Sequence, residues 1–176
     1  MEQSTKYTLK LKSLPEGKED FDFQLDEKYF AQLESNVINS GCVQMQGTIE
    51  RVGTVFTINM RFEGNIETVC DRCLAPLTVP VDTEARLIVK FGETYIEESD
   101  EIVIVPEQEG TIDLGWHMYE FILLSLPMQR MHETGECDPE MMAVINRYEA
   151  NEAATDTQQT DPRWEALKQL KNKKDL

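Results

Sequence analysis

The chain reads as an α+β protein: an antiparallel, barrel-like sheet with covering helices and a C-terminal tethered helix. Three observations predict it. Apolar residues in the first half recur at every second position, the period of a half-buried strand. Between Asp113 and Pro127 the spacing becomes helical. A polar stretch over residues 151–160, without bulky apolar side chains, then separates a short patterned segment from the rest.

Taken in order, Tyr7, Leu9 and Leu11 are spaced by two, as are Phe21, Phe23 and Leu25. Asp26 is placed to cap a short helix through Phe30, Ala31 and Leu33. Residues 42–52 and 54–62 flank Gly53, a tight-hairpin position, and Gly64-Asn65 reads as the next reversal, into residues 66–70. Residues 70–76 turn the chain into a run rich in valine, leucine and isoleucine, 77–91, and residues 101–106 form a short strand beyond an acidic loop. Asp113 then caps a helix that covers the sheet, with Leu114, Met118, Phe121, Ile122 and Ser125 on one face and Pro127 as its stop. Residues 139–150 make a further helix with Met142, Ile145 and Tyr148 inward. The expected organisation is one β-rich domain over residues 1–150, a flexible linker over 151–160 and a short basic helix over 161–176. That last helix has Asp161 as N-cap, Pro162 at its first position and Trp164, Leu167 and Leu170 at three-residue spacing.

Composition bounds the setting. A chain of 176 residues is long enough to bury a core without crosslinks, so a metal would reinforce the fold rather than create it. Four cysteines are too few for a disulfide scaffold, and residues 1–30 hold no continuous apolar run of a signal peptide, so a cytoplasmic protein with reduced thiols is expected. No run approaches the roughly 20 apolar residues of a membrane span. The net charge of −16 argues against ordinary nucleic-acid binding, which depends on lysine and arginine neutralising phosphates. Seven acids and no base fall in residues 91–110, whereas residues 161–176 carry five bases against three acids. The plain reading of both runs is a solvated loop and a solvated helix face. The second also suits docking, so any direct RNA contact should be weak and local.

The chemistry-bearing pattern is a pair of half-sites. Cys70-Asp71-Arg72-Cys73 presents two thiols to one point from a strand-to-strand knuckle, and about sixty residues later His132 and Cys137 lie in a glycine-containing loop after Pro127. Together they offer the four soft ligands of one structural zinc ion, with no position left for an activated water. Such a site can contribute on the order of 10 kcal/mol of apparent binding energy. The bland alternative makes Cys137 a small core residue and His132 a surface loop residue. Cys42, on an apolar strand, reads as buried and chemically silent, and His117, without a ligand partner at metal spacing, as structural.

The order of a sheet, Cys-x-Arg-Cys-Leu-x-Pro-Leu from Cys70 to Leu77, an Asp-Leu helix ending in Leu-Pro, His-x4-Cys and a closing Asp-Pro-Arg-Trp-x-x-Leu-x-x-Leu resembles the YceD-like family of bacterial proteins. The likeness spans nearly the whole chain. Members are linked to accumulation of large-subunit ribosomal RNA, their genes tend to neighbour one for a large-subunit ribosomal protein, and plastid relatives act in precursor rRNA processing. Many relatives carry a cysteine where this chain has His132. Some have a further cysteine group that this chain lacks, so nothing depending on that group carries over.

The resemblance implies a non-enzymatic ribosome-biogenesis factor acting in large-subunit (23S) rRNA accumulation or processing. Its partners would be ribosome-assembly proteins or the pre-ribosomal large subunit, with no membrane and no small-molecule substrate. Trp164, Leu167, Lys168, Leu170 and Lys171 are the expected partner-binding residues. The competing class is a thiol-redox protein using Cys70 and Cys73, with Arg72 able to stabilise a thiolate. The motif lies between strands, however, rather than at a helix N-terminus. No phosphate loop, serine elbow or zincin motif supports hydrolytic chemistry.

Overall fold

A computed structural model describes residues 5–33 and 35–148, and the expected linker and terminal helix lie outside them. The chain divides into two units, Met1–Cys137 and Asp138–Leu176, which are taken separately. In the first, a six-stranded sheet runs in the order β2 (Gly17–Leu25), β3 (Ser40–Val52), β4 (Val55–Val69), β5 (Pro76–Gly92), β7 (Ile102–Pro106) and β6 (Ile96–Ser99). The short strands β1 (Thr8–Lys10) and β8 (Thr111–Asp113) pair by themselves. Helix α1 spans Glu27–Gln32 and α2 spans Gly115–Ser125. The second unit contains α3, Pro139–Tyr148, in which no residue is buried; Tyr148 is 80% exposed rather than turned inward.

The barrel-like expectation is corrected: the sheet stays open, ending on β2 and β6. It is also mixed, because β7 runs parallel to β5 while every other pairing is antiparallel. The acidic run expected as a loop contains β6, whose backbone pairs with β7 while all four residues remain exposed. Sheet pairing uses main-chain groups, so acidic side chains pointing to water do not prevent it.

Alternation along β3, β4 and β5 puts Met45 opposite Phe62, and Ile49 opposite Ile58, itself opposite Leu87. All five are buried in one cluster with Tyr29 and Phe30 of α1 and Met118 and Ile122 of α2. The other face is polar. There Arg61 reaches Glu63, Glu84 and Asp82 at 2.6, 2.8 and 3.0 Å. Asp26 caps α1 as expected, its carboxylate accepting from the Tyr29 amide at 3.1 Å.

The Gly53 hairpin forms, with φ +62°, but the reversal expected at Gly64-Asn65 does not; β4 runs straight through. Gly64 is needed for close approach instead, since a Cβ there would stand 2.2 Å from the Cys42 carbonyl oxygen across the ladder. Cys42 is corrected too. It is exposed, on the face opposite buried Val43, and its sulfur accepts from the Gln24 amide at 3.2 Å.

Candidate metal centre

The register of β4 and β5 builds the first half of the site. Their last pair is Val69 with Pro76, so residues 70–75 must reverse the chain. They do so with the Cys70 amide donating to the Ala75 carbonyl and the Leu74 amide to the Cys70 carbonyl, both at 2.9 Å. Leu74 takes φ +60°, a left-handed conformation that costs a branched residue about 1–2 kcal/mol relative to the ordinary helix region. The turn folds both cysteines inward: Cys70 is fully buried and Cys73 nearly so.

The second half follows α2. Pro127 ends that helix, and the loop is then tied to the knuckle by a pair that the sequence reading missed. The Asp71 amide donates to the Arg130 carbonyl at 2.7 Å, the Arg130 amide returns a bond to Asp71 at 2.8 Å, and the guanidinium adds another at 2.9 Å. The Arg130 amide and guanidinium hold the Asp71 carboxyl below the usual carboxylate range. An acid inside the Cys-x-x-Cys turn and a base two residues before His132 were the available signals, but no spacing rule pairs them. A turn closed by the Glu136 amide on the Glu133 carbonyl, with Gly135 at φ +95°, then brings Cys137 back.

The four expected ligands meet. One ligand atom from each of Cys70, Cys73, His132 and Cys137 lies within 4.8 Å of all the others. The His132 Nδ1 sits 3.4 Å from the Cys73 sulfur, while Nε2 lies 3.0 Å from the Pro76 carbonyl. A carbonyl only accepts, so Nε2 carries the proton of the neutral ring and Nδ1 presents its lone pair to the sulfurs. That is the outer-sphere arrangement that orients a metal-binding imidazole.

Electrostatics agree with a shared centre. Burial pushes the Cys70 thiol up, but amides of Cys73, His132 and Arg72 outweigh it and bring the thiol down to about 6. Burial, then the neighbouring Cys73 and Cys70, push Cys137 up to about 11. The sulfurs of Cys70 and Cys73 also raise the His132 imidazole. The donor set suits zinc: tetrahedral coordination with bonds of roughly 2.0–2.3 Å needs ligand atoms roughly 3.3–3.8 Å apart, a range that holds the 3.4 Å between Cys73 and His132, with all four within 4.8 Å. The arrangement is consistent with a metal site such as zinc, whose chemistry there would be to bridge turn and loop. All four positions would be protein ligands, as in structural sites.

His117 lies elsewhere, buried in α2, with Nε2 3.4 Å from the Tyr95 hydroxyl and Nδ1 3.7 Å from Glu120. Trp164, Leu167, Lys168, Leu170 and Lys171 fall outside the described residues. Among the described residues, no helix is long and apolar enough to cross a membrane.

Comparison with known proteins places these features in context. An uncharacterized protein of Bacillus subtilis (strain 168), YlbN, is 24% identical over 166 residues, covering 94% of this chain and 95% of its own. No solved structure matches significantly. The family model described as large ribosomal RNA subunit accumulation protein YceD matches residues 58–171, from within β4 through both halves of the cysteine and histidine cluster. The chain belongs to the YceD family.

Proposed function

We propose that this protein is a non-enzymatic, cytoplasmic ribosome-biogenesis factor that supports accumulation or processing of large-subunit (23S) rRNA through protein contacts. Zinc, held by Cys70, Cys73, His132 and Cys137, locks the knuckle to the loop after α2. The observation that carries the metal reading is the convergence of four soft ligands from segments about sixty residues apart. Family membership carries the biogenesis reading. In this reading residues 151–160 act as a linker and residues 161–176 as a docking helix, with Trp164, Leu167 and Leu170 as its apolar stripe and Lys168 and Lys171 toward the partner.

The metal reading predicts about one zinc per chain in freshly purified protein, lost in Cys70→Ser and Cys137→Ser with a clear fall in Tm. Metal-free protein whose native Cys70 and Cys73 thiols alkylate readily and form a reversible disulfide would support the thiol-redox alternative instead. The biogenesis reading predicts that depletion lowers mature 23S rRNA and that the tagged protein captures large-subunit precursors. Unchanged rRNA and no capture would refute it.

A further inference from the structure

A second cluster of polar side chains lies away from the cysteines, between β6 and α2. His117, Glu120, Phe121 and Leu124 stand at i, i+3, i+4 and i+7 and so share one face of α2. Glu97 of β6 pairs directly with buried Val103, which puts its side chain on the core side of the sheet, where α2 packs. The two walls face each other across a cavity of about 400 Å³, lined also by Asp100 of the turn before β7.

Hydrogen-bond direction leaves this cavity short of a donor. Burial, then Glu97, push the Tyr95 phenol up to about 12, so it keeps its one proton, which it gives to the Glu97 carboxylate at 2.9 Å. Its oxygen can then only accept from His117 Nε2, 3.4 Å away, so Nε2 carries the hydrogen of an imidazole that burial keeps neutral. Nδ1 is left with a lone pair. Opposite it, 3.7 Å away, stands a Glu120 carboxylate oxygen, also an acceptor. Among the described residues no donor lies between them, although the His117 ring is only 7% exposed. No fully buried side-chain nitrogen or oxygen there lacks a hydrogen-bond partner, so Nδ1 opens on the space that His117 and Glu120 both line.

A positively charged N–H donor completes the arrangement. A metal ion is a poor fit, because among the described residues the cluster of three or more ligands within reach of one ion is the cysteine and histidine set. A primary ammonium has three N–H groups, enough for Nδ1, Glu120 and a carboxylate of Glu97 or Asp100. Its aliphatic stem would cover Phe121 and Leu124, the latter 80% exposed. We infer that this cavity binds a primary alkylammonium group, carried by a free aliphatic diamine or by a lysine side chain. The inference is independent of the metal and biogenesis readings.

The test titrates full-length protein with putrescine, Nα-acetyllysine amide and tetramethylammonium, read by calorimetry and by the imidazole nitrogen resonances. The chain has two histidines, and a His117→Gln variant assigns their signals. The free protein should show His117 as the Nε2–H tautomer, and a primary amine should shift Nδ1 saturably. Glu120→Gln should weaken binding about tenfold or more, since it removes a charge and its own amide supplies the missing donor. Glu120 is partly exposed, so the fold should persist, and circular dichroism checks it. Tetramethylammonium has the charge but no N–H and should leave Nδ1 unmoved. Putrescine binding more tightly than the lysine amide upholds the site with a free amine as ligand, and the reverse order upholds it with a lysine side chain. A native Nδ1 resonance that neither amine moves, tetramethylammonium binding as tightly as the amines, or binding unchanged in Glu120→Gln overturns the inference.

Discussion

At the scale of single residues, His117 sets a pH dependence. Burial lowers its imidazole below the ordinary 6.5, with Glu120, Glu97 and Asp113 offsetting part of the effect. The unfolded chain then binds this proton more readily than the fold does. The contribution is intact above about pH 6.5 and is lost as the pH falls through the window beneath it. Urea unfolding at about pH 7.5 and pH 5.5 should show wild type losing more stability than His117→Gln across that interval. Equal losses would mean that His117 does not titrate as its burial requires. Sequence spacing marked this residue as structural and the fold agrees. Its contact with Glu120 is an i,i+3 pair within α2, whereas the one with Tyr95, just before β6, depended on tertiary packing that no local pattern revealed.

At the scale of elements, the link between the β4–β5 turn and the loop after α2 is prepared before any metal is considered. Asp71 and Arg130 exchange backbone and side-chain bonds across the same gap that a zinc ion would bridge. Asp71→Ala should therefore lower the Tm, modestly because both side chains are partly exposed. It should also weaken zinc affinity by about tenfold, the low end of what outer-sphere losses cost, because Asp71 is bonded to Arg130 rather than to a ligand and acts by holding the loop in place. Thermal unfolding and a competitive zinc chelator read the two effects. Stability and affinity both within error of wild type would remove Asp71 from the site. The ligand residues themselves were legible because a Cys-x-x-Cys followed by a histidine and a third cysteine is a recognisable metal-ligand pattern. The Asp71 and Arg130 pair was not, since aspartate and arginine are common surface residues and only proximity distinguishes this pair.

At the scale of the whole molecule, charge decides which partners are admissible. With 33 acids against 17 bases, the surface repels phosphate backbones. Purified protein should bind unstructured RNA weakly and with steep salt dependence, and the residual affinity should disappear when Lys168, Lys171, Lys173 and Lys174 are replaced by glutamine. Tight binding that survives truncation after Thr160 would point to a basic patch within the folded body. Filter binding across a salt series distinguishes the outcomes.

What the sequence determined by itself was local and periodic. Alternation placed the long strands, Asp26 and Pro127 bounded helices, Gly53 marked a hairpin, and two half-sites announced four ligands, because each signal acts between residues close in the chain. The tertiary structure alone decided the rest. That Gly64 serves close strand approach rather than a turn depends on the Cys42 carbonyl across the ladder. That the sheet is open and mixed depends on β7 entering beside β5 in parallel, a pairing between strands whose own patterns are the same either way. The face on which Cys42 lies was set by register, where a shift of one residue exchanges core for solvent. The meeting of His132 and Cys137 with Cys70 and Cys73 required the turn after β4 and the loop after α2 to come together, a consequence of packing that no stretch of sequence contains.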